Sequence, residues 1–391
     1  MKKVIICMLA LLIIITGCAS DKAEESEKVQ KVELEDLRES MENDADAVSE
    51  KNSDSNKVVS VNEEIMDRFF IETEIDIPGK RYKSYQTTLK EFKQDELIAL
   101  LLPNATTDQI QVESFDDGAA VSIAFQEEDI AVEQGTMRYI KDKEIKYIDR
   151  LVSFAAYSNR LEDKELEFMS SEQAVDQASS LMLQFGLGTN LGEPVINAFT
   201  KEDLGDLQEY MMNYDEDFRQ MYEDGRLLLR DEFNDEDETY RIQYIFIQDG
   251  LPVFGPEEPE LYATGGIEAP LPAFPMEAII YISSAGIRCI DLYDVVSDDM
   301  QQSEEQEIIL WDGIKKALIK KYGDVILTEE NKVIDIWLEY IPIRDANTYG
   351  SVELVPAWCC EFEMDDSDVE EGMLRARHAD RFNAFTGEEI S

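Results

Sequence analysis

Residues 352–364 read VELVPAWCCEFEM, and their alternation decides the fold. Val352, Leu354, Trp358, Cys360 and Phe362 share one parity, while Glu353, Cys359, Glu361 and Glu363 share the other. A period of two is that of a strand with one face turned to a core. Upstream, VIDIWLEYIPI (333–343) reads as a second strand, and RFNAFTGEEI (381–390) closes the chain. Ser303-Glu304-Glu305-Gln306 has the spacing of a capping box. It predicts a helix carrying Ile308, Trp311, Ile314 and Leu318 that stops at Gly323. Residues 303–391 are thus expected to form one helix on an antiparallel sheet.

The same order precedes it. Ser170-Ser171-Glu172-Gln173 is another capping box, and Ala174, Ala178, Leu181, Met182 and Phe185 lie on one helical face before Gly186 and Gly188. A single helical stretch then sets Leu204, Leu207, Met211, Tyr214, Phe218 and Met221 at spacings of three and four. TYRIQYIFIQDGLPVFG (239–255) reads as a hairpin turning at Asp249-Gly250, and EAIIYISSAGIRCIDLY (277–293) as one turning near Gly286. Laid over each other, 170–296 and 303–391 pair Leu251-Pro252-Val253-Phe254 with Val355-Pro356-Ala357-Trp358. They also pair Tyr281-Ile282-Ser283 with Asn383-Ala384-Phe385. The two segments read as a degenerate repeat.

Residues 58–160 read as a smaller α+β domain. Ile71, Ile75 and Ile77 mark a strand ending at Pro78-Gly79, and Val121, Ile123 and Phe125 mark another. Thr88-Leu89-Lys90-Glu91 has capping-box spacing and predicts a helix through Leu101. Met137 with Tyr139, and Ile145 with Tyr147, flank Lys141 to Glu144 as the arms of a hairpin would. The expected class is α+β, built of small helix-plus-antiparallel-sheet modules after a tether.

The N-terminus gives the address. Lys2 and Lys3 precede an apolar run from Val4 to Ile15, too short for a spanning helix, which needs about 20 residues. The run ends in Ile15-Thr16-Gly17-Cys18, which resembles the bacterial lipobox. That resemblance implies that residues 1–17 are a signal peptide and that Cys18 becomes the lipidated first residue. Two or three acyl chains then anchor the protein stably. Residues 18–57 lack Pro, Gly and aromatic side chains, and are expected to be a disordered acidic tether. Asp21 is not the residue of an inner-membrane retention signal, so the expected location is the outer face of a Gram-positive cell membrane.

Charge narrows the partners. The chain carries 86 acidic against 36 basic residues, a net charge of −50 that loss of Lys2 and Lys3 makes more negative still. Nucleic acid is excluded as a partner, because phosphate contacts need clustered Lys and Arg. Docking on anionic lipid by charge is excluded too, so contact with the membrane falls to the lipid on Cys18.

The stretch IQDGLPVFG and the closing NAFTGEEI, each after a helix, resemble the PepSY-like modules of the YycH and YycI proteins, over about 170–391. Those are extracytoplasmic regulators of a Gram-positive sensor kinase. The resemblance implies a regulatory module, although a lipobox stands here where that family has a transmembrane helix. Over its whole length the chain is similar to uncharacterised lipoproteins of gut Firmicutes.

Residue types for chemistry are scarce. His378 is the only histidine and shares strand parity with Phe382 and Ala384. No dinucleotide loop or P-loop occurs. Asp231 to Glu238 is acidic, but lacks the glycine and terminal glutamate of an EF-hand loop. Cys289, Cys359 and Cys360 are odd in number, so no disulfide framework exists. One bridge from Cys289 to Cys359 or Cys360 stays open, and Cys359, off the core face, is the candidate reactive thiol. Two candidate partner-binding surfaces remain. One is the stripe of Leu204, Leu207, Met211 and Phe218. The other is the proline-rich stretch from Pro256 to Pro275 with Tyr262 and Phe274. The expected function is a non-enzymatic binding or regulatory module without a cofactor, docking a protein partner at the cell envelope. A carboxylate-based cell-wall or polysaccharide hydrolase and a solute-binding lipoprotein are the alternatives.

Overall fold

The computed structural model describes residues 57–79, 81–115, 120–157, 164–188, 190–254, 276–327, 330–345, 348, 350–363 and 378–390. Cys18 and the tether to residue 56 lie outside them, as do Tyr262 and Phe274. The chain divides into two units, Met1–Lys57 with Pro78–Lys80, and Val58–Ile77 with Arg81–Ser391. The fold below is that of the second.

Its N-terminal strands are β1 (Lys57–Met66), β2 (Phe69–Ile77) and β3 (Tyr85–Thr88). Helix α1 (Gln94–Leu101) leads into β4 (Gln111–Phe115), β5 (Ala120–Phe125), β6 (Glu128–Glu133) and β7 (Thr136–Ile140). Helices α2 (Lys143–Tyr157) and α3 (Ser171–Gln184) follow, then β8 (Val195–Phe199), α4 (Lys201–Tyr214), α5 (Glu216–Glu223) and β9 (Thr239–Tyr244). A two-residue-deep hairpin, β10 (Ile247–Gln248) and β11 (Leu251–Pro252), precedes β12 (Glu277–Ser283), β13 (Gly286–Tyr293) and β14 (Gln301–Gln302). The chain closes with α6 (Trp311–Tyr322), β15 (Asn331–Arg344), β16 (Ser351–Phe362), β17 (His378–Asn383) and β18 (Glu389–Ile390).

The class is α+β. One eight-stranded sheet runs β4-β5-β6-β7-β13-β12-β9-β8, and a second runs β1-β2-β15-β16-β17-β18, with β3 pairing to β16 and β14 to β3. Among the described residues the pairing is antiparallel apart from β2 with β15 and the Val253–Tyr340 bridge. Three times a helix is followed by four strands paired in sequence order: α1 with β4 to β7, α3 with β8, β9, β12 and β13, and α6 with β15 to β18. The β7–β13 pairing fuses the first two meanders into one sheet.

This changes the expected organisation in two ways. Residues 58–160 are not a self-contained sheet: β1 to β3 join the second sheet and β4 to β7 the first. The repeat correspondence also divides. Gly286 and Gly387 occupy matching turns, β12–β13 and β17–β18, both at positive φ. Pro252 and Phe254 do not match Pro356 and Trp358. They follow the Asp249-Gly250 turn in a hairpin outside the meander, and Phe254 packs with Ala357 and Cys359 instead.

The alternation in β16 holds on one side. Val352, Leu354, Trp358, Cys360 and Phe362 share the main core with Ile314, Ala317 and Leu318 of α6. The opposite side is covered as well: Ala357, Cys359 and Glu361 are also buried.

Local signals fared unevenly. Ser170 and Gln173 do form the capping box. Thr88 instead ends β3, because the next amides, Leu89 and Lys90, donate to Gly350 O and Val295 O at 2.8 Å. Ser303 and Gln306 likewise donate to Ser84 O and Tyr82 O, so α6 starts only at Trp311. The expected hairpin at 137–147 is a strand followed by a helix. Asp142 accepts from Ile145 N at 3.0 Å, and Ile145, Ile148, Leu151 and Val152 are buried at helical spacing.

Candidate functional site

The expected single helix over 204–221 is two. Thr200 and Asp203 cap α4 reciprocally, and Asp215 ends it while capping α5 by accepting from Phe218 N at 2.8 Å. Burial pushes the Asp203 carboxyl up, but hydrogen bonds from Lys164 and Thr200 outweigh this and hold it below its ordinary value. Leu204, Leu207, Met211 and Phe218 are buried in a core with Ile148, Phe199 and Tyr281, beneath α2, α4 and α5. The stripe is therefore helix-to-sheet packing, closed to a partner.

A groove lies beside that helix. After α5 the chain returns as an irregular strap, residues 226–233. Gln208 ties the strap to α4: its Oε1 accepts from Arg230 N and its Nε2 donates to Arg230 O, both at 3.0 Å. The Tyr147 hydroxyl also donates to Gln208 Oε1, and burial raises that hydroxyl to about 12. Phe233 stacks on Tyr147 with centroids 6.3 Å apart, and the Arg230 guanidinium lies 5.1 Å over Phe233. Between helix and strap is an open groove of about 670 Å³. Its lining combines Met212, Leu229 and Phe233 with Glu202, Glu209, Asp231 and Glu232.

The two cations lining the groove are engaged. Lys201 pairs with Asp235 at 2.5 Å, a hydrogen bond that raises its pKa, and Arg230 pairs with Asp237 at 2.7 Å. Asp237 is buried and also accepts from Asn234 N. The acidic run 231–238 is thus folded on its own cations. Among the described residues no three His, Cys, Asp or Glu side chains group to hold a metal ion.

A second charged cluster lies on the helix-covered face of the first sheet. Arg138 Nη2 meets Asp149 of α2 at 2.7 Å, and its Nε meets Asp291 at 3.0 Å. Burial raises Asp291 to about 7 despite Arg138, and raises Glu277 to about 6 despite Arg241. Arg241 is 1% exposed; its Nη1 donates to Gln243, and its Nη2 stands 3.7 Å from Glu277.

Cys289, Cys359 and Cys360 are buried as thiols rather than bridged. Cys359 donates to Glu339 Oε1 at 2.8 Å, so the thiol expected to be reactive is enclosed. Glu339 also accepts from Trp337 Nε1, and the Arg381 guanidinium lies 4.2 Å from the Phe254 ring centre. His378 begins β17, and its side chain lies outside the described residues, with the whole Pro256–Pro275 stretch.

Sequence reasoning missed the groove. Gly205 inside the helical stretch is the one trace it leaves there, and a glycine alone does not mark a groove.

No family model matches the chain, and no curated protein matches it. Among solved structures, an uncharacterized protein from Eubacterium rectale ATCC 33656 is similar in fold. Its TM-score is 0.53 at 17% identity, covering 86% of this chain and 93% of that one.

Proposed function

We propose that this chain is a lipid-anchored, extracytoplasmic binding or regulatory module of a Gram-positive cell surface, tethered through Cys18 and acting without chemistry of its own. The observation that carries the reading is the preformed groove between α4 and the strap, open at about 670 Å³ and pinned by Gln208. The lipobox-like Ile15-Thr16-Gly17-Cys18 supports the anchor. The PepSY-like resemblance over about 170–391 supports a regulatory role.

The rival readings have less behind them. A glycoside hydrolase needs two carboxylates flanking a bond that a polymer can reach. The carboxyls raised toward neutrality, Glu277 and Asp291, are instead enclosed by the sheet. A solute-binding protein of two α/β lobes calls for parallel sheets, and these are antiparallel apart from β2 and β15.

Cross-linking of the full-length chain in its native membrane, followed by identification of the linked protein, tests the reading. The expected result is a discrete, saturable cross-link, with no turnover of cell-wall glycan by the purified chain. Glycan cleavage that Asp291→Asn or Glu277→Gln abolishes would replace it with the hydrolase.

A further inference from the structure

The groove has a chemical character that the binding reading does not use. Gly205 lies inside α4, where glycine is unfavourable relative to alanine. It lines the groove, and a Cβ built on it meets nothing within 4 Å. No packing contact therefore accounts for the missing side chain; what the glycine does is leave the groove wall bare. Met212 and Leu229 supply apolar lining, and Leu228 on the same strap is 80% exposed.

The lining charge is one-sided. Lys201 and Arg230 are neutralised by Asp235 and Asp237. Glu202, Glu209, Asp231 and Glu232 face the same space, and the two cations beside them already have partners. An anionic lipid headgroup is repelled there. So is this chain's own segment 18–57, which holds thirteen acidic residues against six basic ones.

Resting on the binding reading above, we infer that the groove takes a basic peptide segment of a partner protein, with lysine or arginine facing the four carboxylates and apolar side chains filling the space left by Gly205. Charge complementarity makes encounter fast and dependent on ionic strength. The apolar contact adds what salt does not screen.

The test uses the full lipidated chain in discs of neutral phosphatidylcholine, with empty discs as the blank. The probes are a fluorescein-labelled heptapeptide, Lys-Leu-Lys-Phe-Lys-Leu-Lys, and the same peptide with every lysine replaced by glutamate. The basic peptide is expected to bind saturably, at least tenfold more tightly than the acidic one. Gly205→Phe is expected to weaken it at least tenfold. Gly205→Ala is expected to melt at a higher temperature than the parent, which shows that α4 tolerates a side chain there. Glu202→Gln with Glu209→Gln is expected to weaken binding about fivefold, and Glu304→Gln with Glu307→Gln, the same charge change elsewhere, to leave it unaltered. The inference is overturned if the basic peptide does not saturate, if Gly205→Phe binds as the parent does, or if both glutamine pairs weaken binding equally. A Gly205→Phe chain that still forms its native cross-link overturns this inference while leaving the binding reading in place.

Discussion

Asp291 faces Arg138 directly across the β7–β13 pairing, Oδ1 to Nε at 3.0 Å, and Asp149 takes the other end of the same guanidinium. Glu277 and Arg241 extend the cluster along β12 and β9. Three carboxylates and two guanidiniums thus sit together, with Asp291, Glu277 and Arg241 buried and Arg138 and Asp149 partly exposed. The surplus negative charge is costly to bury, so a proton is retained at higher pH than in water.

Stability should therefore fall as the pH rises through this cluster. The folded value of about 7 for Asp291 lies above the ordinary carboxylate value. Its contribution is complete below about pH 4, the unfolded value, and is lost as pH rises through 7. Glu277 adds the same sign up to about 6. Denaturant midpoints measured from pH 4.5 to 8 should decline for the parent chain. Asp291→Asn should flatten the difference, on the order of a few kcal/mol. An equal slope in the variant would remove Asp291 as its source.

Truncating the core tests the two helix-covered faces separately. Trp358 is fully buried and its Nε1 donates to Ile309 O at 3.0 Å. Trp358→Ala should cost about 3–5 kcal/mol, and Phe218→Ala about the same. Leu204→Ala should fall at about 2–5 kcal/mol. These losses belong in urea unfolding curves, with peptide affinity of the folded fraction unchanged. A Phe218→Ala chain of parental stability would reopen that stripe as a surface.

Thiol chemistry should be slow. Cys289, Cys359 and Cys360 are enclosed, and burial pushes the Cys289 and Cys360 thiols well up. A thiolate is the reactive form. Native protein carrying its lipid should expose none of these three to Ellman's reagent within minutes, and all three after unfolding. Prompt labelling of one thiol in the folded chain would contradict the burial.

Processing at Cys18 has its own readout. Cys18→Ala should leave the chain uncleaved or soluble, no longer partitioning into the detergent phase. Normal fractionation of that variant as a processed membrane lipoprotein would refute the lipobox reading.

Much of the architecture was legible where one face alone decides the pattern. The parity of Val352 to Phe362 placed Trp358 and Cys360 inside, though it left Cys359 and Glu361 on a face that is in fact covered, and Ser170 with Gln173 placed the start of α3. Capping spacings failed at Thr88 and Ser303, since distant carbonyls claim the backbone there, which no local pattern encodes. Lys141 to Glu144 looked like a turn, although Ile145, Ile148 and Val152 already carried the helical period. Thr200 with Asp203 escaped notice because aspartate stands where a capping box usually has glutamate or glutamine. The groove was illegible for a different reason. It exists only once Gln208 of α4 meets Arg230 on the strap beyond α5, and an acidic lining carries little information in a chain with 86 acidic residues.

The parallel pairing of β2 with β15 joins Phe69 to Asn331 and Ile71 to Val333. Some 260 residues of chain separate the partners. During synthesis β2 emerges early and waits, its inner edge bare, until nearly the whole polypeptide has followed. The sheet bounded by β4 and β8 waits less, because β13, the strand that closes it against β7, ends at Tyr293. Assembly should accordingly be vectorial: one half matures while the other is held open, and closure by β15 is the slow, topologically distant step. Any chain cut short before Asn331 leaves that early strand edge as an adhesive end for its neighbours.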